Sequence, residues 1–147
     1  MHVAHQDVAQ TVTRVRVWDR FDGAVRTGEL VVHADVADGV VRVFAELFEQ
    51  RYPIRSMRLV DDFGADDTAS MNADNTSAFN CRAVEGTDRW SNHAYGRAID
   101  INPIENPYVY GDGTTSHPAS VPFLDRADVR AGMIVEGGPV VAAFVRR

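Results

Sequence analysis

The sequence predicts an α+β domain, with a small antiparallel sheet and helices on one side of it. Three observations point there. Residues 14–18 alternate polar and apolar side chains (Arg-Val-Arg-Val-Trp), the period of a half-buried strand. Asp22-Gly23 is a turn signal, and the Leu30-Val31-Val32 run within 29–33 is too short for a helix, so it reads as the returning strand. Between 35 and 51, Val36, Val40, Val43, Phe44, Leu47 and Phe48 recur at helical spacing and make one apolar face.

The remaining elements follow in order. Asp35 is placed to cap the 35–51 helix, Gly39 weakens it by about 1 kcal/mol relative to alanine, and Pro53 cannot extend it. Residues 56–60 read as a strand. Residues 61–75 read as a long polar loop carrying Asp61, Asp62, Asp66, Asp67 and Asp74. Its spacing lacks the glycine and terminal glutamate of an EF-hand loop, so it reads as solvated rather than as a calcium site. Residues 76–84 are a strand candidate, with Phe79, Cys81 and Ala83 on one face and Asn80 and Arg82 on the other. Residues 98–101 form a short strand with Ile99 and Ile101 buried and Asp100 turned the opposite way. Pro103 and Pro107 then end regular structure. Residues 104–126 form a long loop, a length usually functional or mobile, with a turn at Gly111-Asp112-Gly113. Pro139 starts a helix striped by Val140, Val141, Phe144 and Val145, and Arg146 and Arg147 suit its last turn.

A chain of 147 residues, 45% hydrophobic, is long enough to build one core without staples. Residues 1–12 are expected to form a flexible tail and 13–147 a single domain. The net charge of -6, from 15 basic and 21 acidic residues, argues against a nucleic-acid partner, which needs clustered cations. The lone Cys81 excludes an internal disulfide and a cysteine-rich zinc site, and reads as a buried, inert thiol. No apolar run approaches the ~18–20 residues of a membrane span. Residues 1–10 lack the apolar stretch of a secretory signal, so the sequence assigns no compartment. It encodes no oligomeric state.

Chemistry concentrates between Asn75 and Tyr108, around Ser91-Asn92-His93-Ala94-Tyr95-Gly96-Arg97-Ala98-Ile99-Asp100. A turn at Gly96 would bring His93 back beside the strand that presents Asp100. Zinc accepts imidazole nitrogen and carboxylate oxygen at about 2.0–2.2 Å. A carboxylate at a core edge needs a partner in any case, because burying it alone is costly. Spacing therefore leaves three readings open: a metal site, a plain hydrogen bond, or a Ser91–His93–Asp100 catalytic arrangement. The last sits poorly with a nucleophile two residues from its base and with the lack of a Gly-x-Ser-x-Gly elbow.

Ser91-x-His93-x-x-Gly96-x-Ala98-x-Asp100 resembles the S-x-H-x-x-G-x-A-x-D motif of the zinc D-alanyl-D-alanine carboxypeptidase family. That family includes VanY-like peptidases, D,D-dipeptidases and phage L-alanyl-D-glutamate endolysins, and shares its fold with the hedgehog signalling domain. The flanks are similar too: Asn75-Thr76-Ser77-Ala78-Phe79-Asn80-Cys81-Arg82 before the motif, Asp100-Ile101-Asn102-Pro103 and Asn106-Pro107-Tyr108 after it, and Gly28 to Val32 and Pro53-Ile54 further upstream. The resemblance implies a hedgehog-like domain with its zinc site on the open face of the sheet. It implies hydrolysis of a peptide bond next to a D-amino acid, with a bacterial cell-wall stem peptide as substrate. His93 and Asp100 match the first two zinc ligands, and Ser91 the serine that supports the site by hydrogen bonding. Arg82 matches the arginine that faces the scissile carbonyl and steadies its oxyanion. Without that likeness, Arg82 reads as a surface ion-pair residue and Ser91 as a turn hydroxyl capping local backbone.

The sequence also departs from that family. A catalytic zinc needs three protein ligands and an open position. The family takes its third ligand from a histidine near its C-terminus, with an acidic general base three residues earlier, after a tryptophan- and glycine-rich segment. Here the sequence reaches Arg147 at the end of the expected last helix, and the one histidine after Asp100, His117, lacks that acidic context. The expectation is a domain lacking its C-terminal end and impaired as an enzyme. The alternative is a non-catalytic module that binds cell-wall peptide, or a degenerate copy. His117 could substitute as a ligand if the 104–126 loop folds over the site, although an exposed loop histidine is the ordinary reading. His33 ends a strand, and His2 and His5 lie in the expected tail. Trp90 reads as a packing anchor. Tyr95, Tyr108 and Tyr110 suit either a peptide groove or ordinary packing.

Overall fold

The structure, a computed structural model, describes residues 10–19, 22–80 and 86–146. Strands β1 (Gln10–Asp19) and β2 (Ala24–His33) pair antiparallel along their whole length, from Gln10↔His33 to Asp19↔Ala24. Alternation buries Thr13, Val15, Val17 and Asp19 of β1 and Gly28, Leu30 and Val32 of β2 on one face. Both expected strands are present and longer than read, because residues 10–13 and 24–28, which lack a regular polar–apolar alternation of their own, also join the ladder. The turn closes where Asp22-Gly23 predicts it. Gly23 donates its amide to the Asp19 carbonyl at 2.7 Å, and Asp22 accepts from Ala24 N at 2.8 Å.

Helix α1 (Ala37–Glu49) follows a 3-10 turn, Ala34–Val36. The start is capped by His33, whose Nδ1 accepts from Asp35 N at 3.0 Å; Asp35 stands in the first turn and is not the cap. Val40, Val43, Phe44 and Leu47 are buried on the predicted face, and α1 packs against β1. Phe48 lies beneath the Arg16 guanidinium, 4.7 Å from its ring centre. Helix α2 (Asp67–Asn72) packs against the 3-10 turn Val60–Phe63, and helix α3 (Pro139–Val145) against α1. Pro139 opens α3 as expected. Its stripe is only half covered: Val140 is buried, while Phe144 and Val145 are exposed. Arg146 pairs with Glu46 of α1. Arg147 lies outside the described residues. The core joins the buried sheet face, α1, Val140 and Ala143 of α3, and Tyr52, Ile54, Met57, Ala78 and Ile101.

Among the described residues none of the strands expected at 56–60, 76–84 and 98–101 forms as such; they make isolated bridges and scattered backbone bonds instead, and residues 81–84 of the second lie outside the described residues. Ser56 bridges Asn75, and Ser77 bridges Asp100. The outer edge of β2 is nevertheless covered. Glu29 N donates to Met57 O at 3.0 Å, Phe79 N to Val31 O at 3.0 Å, and His33 N to Gly96 O at 2.8 Å. Residues 29, 31 and 33 thus turn their backbone outward to three irregular segments, which blunts an otherwise open sheet edge. Side chains are what cut the ladders short. Asn75, fully buried, accepts from Arg58 N at 2.8 Å and donates to Arg58 O at 2.8 Å, occupying the places a neighbouring strand would take. Thr76 Oγ1 accepts from Asn102 N at 3.0 Å, and Asn102 takes a φ of 44°, which ends the 98–101 extension.

The 61–75 segment is not the plain loop expected. Asp66 caps α2, accepting from Thr68 N at 2.9 Å and Ala69 N at 3.2 Å. Asp62 meets Arg58 at 3.3 Å, Asp67 accepts from Asn80 Nδ2 at 2.9 Å, and Asp74 is buried. Four of the five carboxylates therefore serve caps, pairs and packing. The 104–126 loop carries a 3-10 stretch, Pro118–Phe123, and is pinned at its root by Arg126, which donates to the carbonyls of Glu105, Phe123 and Ile134 and to Asn106 Oδ1.

Candidate metal centre

The motif residues Asn92–Tyr95 form a 3-10 turn ended by Gly96. Gly96 has a φ of 67°, and a Cβ there would stand 2.5 Å from His33 N and 3.0 Å from Val32 C. Only glycine allows the turn to lie flat on β2, where its carbonyl accepts from His33 N. That contact fixes where His93 sits.

His93 is held at both its backbone and its ring. Its carbonyl accepts from Asn80 N at 3.1 Å, and its Nδ1 lies 2.8 Å from the Ala78 carbonyl oxygen. A carbonyl only accepts, so Nδ1 carries the proton, and in the neutral ring Nε2 is the nitrogen left with a lone pair. Nε2 lies 3.4 Å from Asp100 Oδ1, with the His93 side chain 11% and the Asp100 side chain 33% exposed. Ile101 is in the core and Ile99 packs against it, so alternation turns Asp100 to the side away from α1, where it meets His93.

The 3.4 Å separation discriminates between readings. A charge-assisted N–H···O bond runs about 2.7–2.9 Å. Two donors on one tetrahedral zinc stand roughly 3.3–3.5 Å apart, given bond lengths near 2.0–2.2 Å. The ring tethered through Nδ1 to a carbonyl is the arrangement that orients metal-bound histidines. His93 and Asp100 therefore fit two positions of a zinc site. Among the described residues, no group of three or more His, Cys, Asp or Glu side chains gathers to hold a metal.

Ser91 precedes the turn and is 6% exposed. Its side chain makes no cap bond, which removes the local-capping reading, and its Oγ has no hydrogen-bond partner among the described residues. Arg82 and Cys81 lie outside the described residues, as do His2 and His5. His117 is neither an exposed loop histidine nor part of the His93–Asp100 group; it is buried, with Nδ1 2.8 Å from Asn72 Oδ1. His33 caps the 3-10 turn that leads into α1. Tyr108 and Tyr110 meet edge to face at 5.3 Å, and Tyr108 is 72% exposed. Sequence reading missed the Ala78 carbonyl, because a backbone tether leaves no side-chain signature.

Residues 85–147 match the family model described as D-alanyl-D-alanine carboxypeptidase. The likeness seen in the motif is thereby borne out over that segment, and it points to a family of carboxypeptidase-type hydrolases. No curated protein and no solved structure matches the chain.

Proposed function

We propose that this chain carries a zinc-dependent peptidase site that acts next to D-amino acids in bacterial cell-wall stem peptides, within a hedgehog-like α+β domain. The observation that carries this reading is His93, tethered through Nδ1 to Ala78 and aiming Nε2 at Asp100 across 3.4 Å. Zinc, when bound, supplies Lewis acidity and a water made acidic enough to attack at neutral pH. His93 Nε2 and Asp100 Oδ1 would hold it. The orphaned Ser91 hydroxyl offers a hydrogen bond to a group entering the site. By the family likeness, Arg82 faces the scissile carbonyl, where losing one oxyanion donor costs about 3–4 kcal/mol. Among the described residues no third His, Cys, Asp or Glu joins them to complete the site, and without a third ligand and a general base the chain is impaired as an enzyme.

A second reading has one observation in its favour. With only two donors gathered among the described residues, the site would hold zinc weakly and serve to bind a cell-wall peptide without cutting it. Calorimetric titration of zinc into the metal-free chain at neutral pH, beside His93→Ala and Asp100→Asn, tests both readings. One equivalent bound by the natural chain and lost in both variants is the expected result. Nanomolar strength with cleavage of a D-alanyl-D-alanine peptide supports the peptidase. Micromolar strength without cleavage supports the binding module. No binding, or binding that survives both substitutions, refutes the metal site altogether.

A further inference from the structure

The two edges of the hairpin are finished differently. On β2, Glu29, Val31 and His33 turn their backbone outward and are met by Met57, Phe79 and Gly96. Across the ladder they stand opposite Arg14, Val12 and Gln10. Directly opposed residues of an antiparallel pair either bond each other or both face away, so Val12 and Arg14 face away on β1, and Arg16 shares their phase. Trp18, also in that phase, marks the direction: its carbonyl accepts from Ile54 N at 2.9 Å. Cover of the β1 edge stops there. Among the described residues, no neighbouring segment makes a backbone hydrogen bond to Val12, Arg14 or Arg16.

The side chains beside this edge are equally uncovered. On the solvent face stand Val12, 46% exposed, Arg14 and Arg16. Arg14 meets Glu29 at 3.0 Å with its own side chain 67% exposed. Arg16 has no ion-pair partner among the described residues, and its guanidinium lies over the Phe48 ring. Phe48 belongs to α1, under the opposite face of the sheet, so Arg16 reaches it around the edge and this flank of α1 borders the open strand. Ala45 and Val41 lie one and two turns before Phe48 on that same flank, and both are exposed. Backbone donors and acceptors, two cations and an apolar strip thus run side by side.

We propose that the β1 edge takes an extended, acidic segment of a partner protein as a third strand. Its backbone bonds Val12, Arg14 and Arg16, its carboxylates face the two arginines, and its alternate apolar side chains rest on Val41, Ala45 and Phe48. Charge decides the occupant. A second copy of the chain would bring its own Arg14 and Arg16 to the shared edge, and edge arginines oppose that kind of pairing. Carboxylates at alternate positions meet both with opposite sign. The inference goes beyond the peptidase reading and does not depend on it, because β2 lies between this edge and the turn that carries His93.

Amide-exchange NMR of the full chain tests it, with the blocked peptide Thr-Val-Glu-Val-Glu-Val-Thr as probe and the same peptide carrying glutamine at both glutamates as control. In the free chain the Val12, Arg14 and Arg16 amides should exchange fast and those of Val15 and Val17, which bond β2, slowly. The glutamate peptide should slow the three outward amides about tenfold or more. The glutamine peptide should bind about fivefold more weakly, a difference that vanishes in the double variant Arg14→Gln, Arg16→Gln. Val12→Pro, which removes an N–H that an edge strand can spare, should weaken binding about tenfold. The proposal is overturned if the three amides are already slow in the dilute free chain, if they slow only as the chain's own concentration rises, if the glutamate peptide leaves them unchanged, or if both peptides bind alike. The natural chain alone decides these outcomes, whether or not a variant folds.

Discussion

Replacing Gly96 with alanine probes the contact that seats the turn carrying His93. Two costs can be read from the structure. An alanine held at a φ of 67° loses about 1–2 kcal/mol to left-handed strain. Its Cβ, 2.5 Å from His33 N, must also push the turn off β2, which brings an overpacking cost of about 1–3 kcal/mol and strains the 2.8 Å bond between His33 N and Gly96 O. Together these come to roughly 2–5 kcal/mol, or a fall in urea midpoint of about 1–2.5 M at a slope near 2 kcal/mol/M. Two other glycines separate the contributions. Gly23 has a φ of 72° and nothing within 4 Å of its added Cβ, so Gly23→Ala should carry the strain alone, about 1 kcal/mol. Gly39 sits inside α1 with nothing within 4 Å, and Gly39→Ala should stabilise by about 0.5–1 kcal/mol. A Gly96→Ala loss no larger than that of Gly23→Ala would refute the close-approach argument, and with it the claim that this glycine positions His93.

Two further outcomes follow from the buried polar groups. Asn75→Ala strips both hydrogen bonds from the Arg58 backbone and should cost about 3 kcal/mol in urea or thermal unfolding, far more than a surface asparagine. Burial pushes the Tyr52 hydroxyl from 10.0 up to about 12, so the stability it contributes is intact below pH 10 and lost as pH climbs toward 12. Tyr52→Phe should remove that alkaline loss while lowering stability by about 1–2 kcal/mol at neutral pH, as followed by circular dichroism.

What sequence revealed and what it hid divide along physical lines. The hairpin, α1 and the start of α3 were legible because alternation, helical period and a first-turn proline are local signals. So was the meeting of His93 with Asp100, since a glycine turn between them leaves few other arrangements. The 56–60 and 98–101 segments were misread as strands because their partners are side chains: Asn75 and Thr76 occupy the backbone groups a ladder would use, and no periodicity announces that. Helix α2 was hidden inside an aspartate-rich stretch that looked solvated, although Asp66 is a good cap. His117 was misjudged in both directions, because its burial against Asn72 depends on a contact 45 residues away in sequence.

The carbonyl of Gly132 accepts from Tyr52 OH at 2.6 Å, from Asn106 Nδ2 at 2.9 Å and from Asn102 Nδ2 at 3.3 Å. Tyr52 and Gly132 are 80 residues apart in the chain. During synthesis, at about 5–20 residues per second, the Tyr52 hydroxyl waits several seconds after it is made before its acceptor exists. The hairpin and α1 are complete by then and already expose an apolar surface, while the polar knot that closes beside it still lacks its centre. The nascent chain therefore passes through an interval in which its first third is assembled but unsealed, and in which a holding chaperone has the most to act upon.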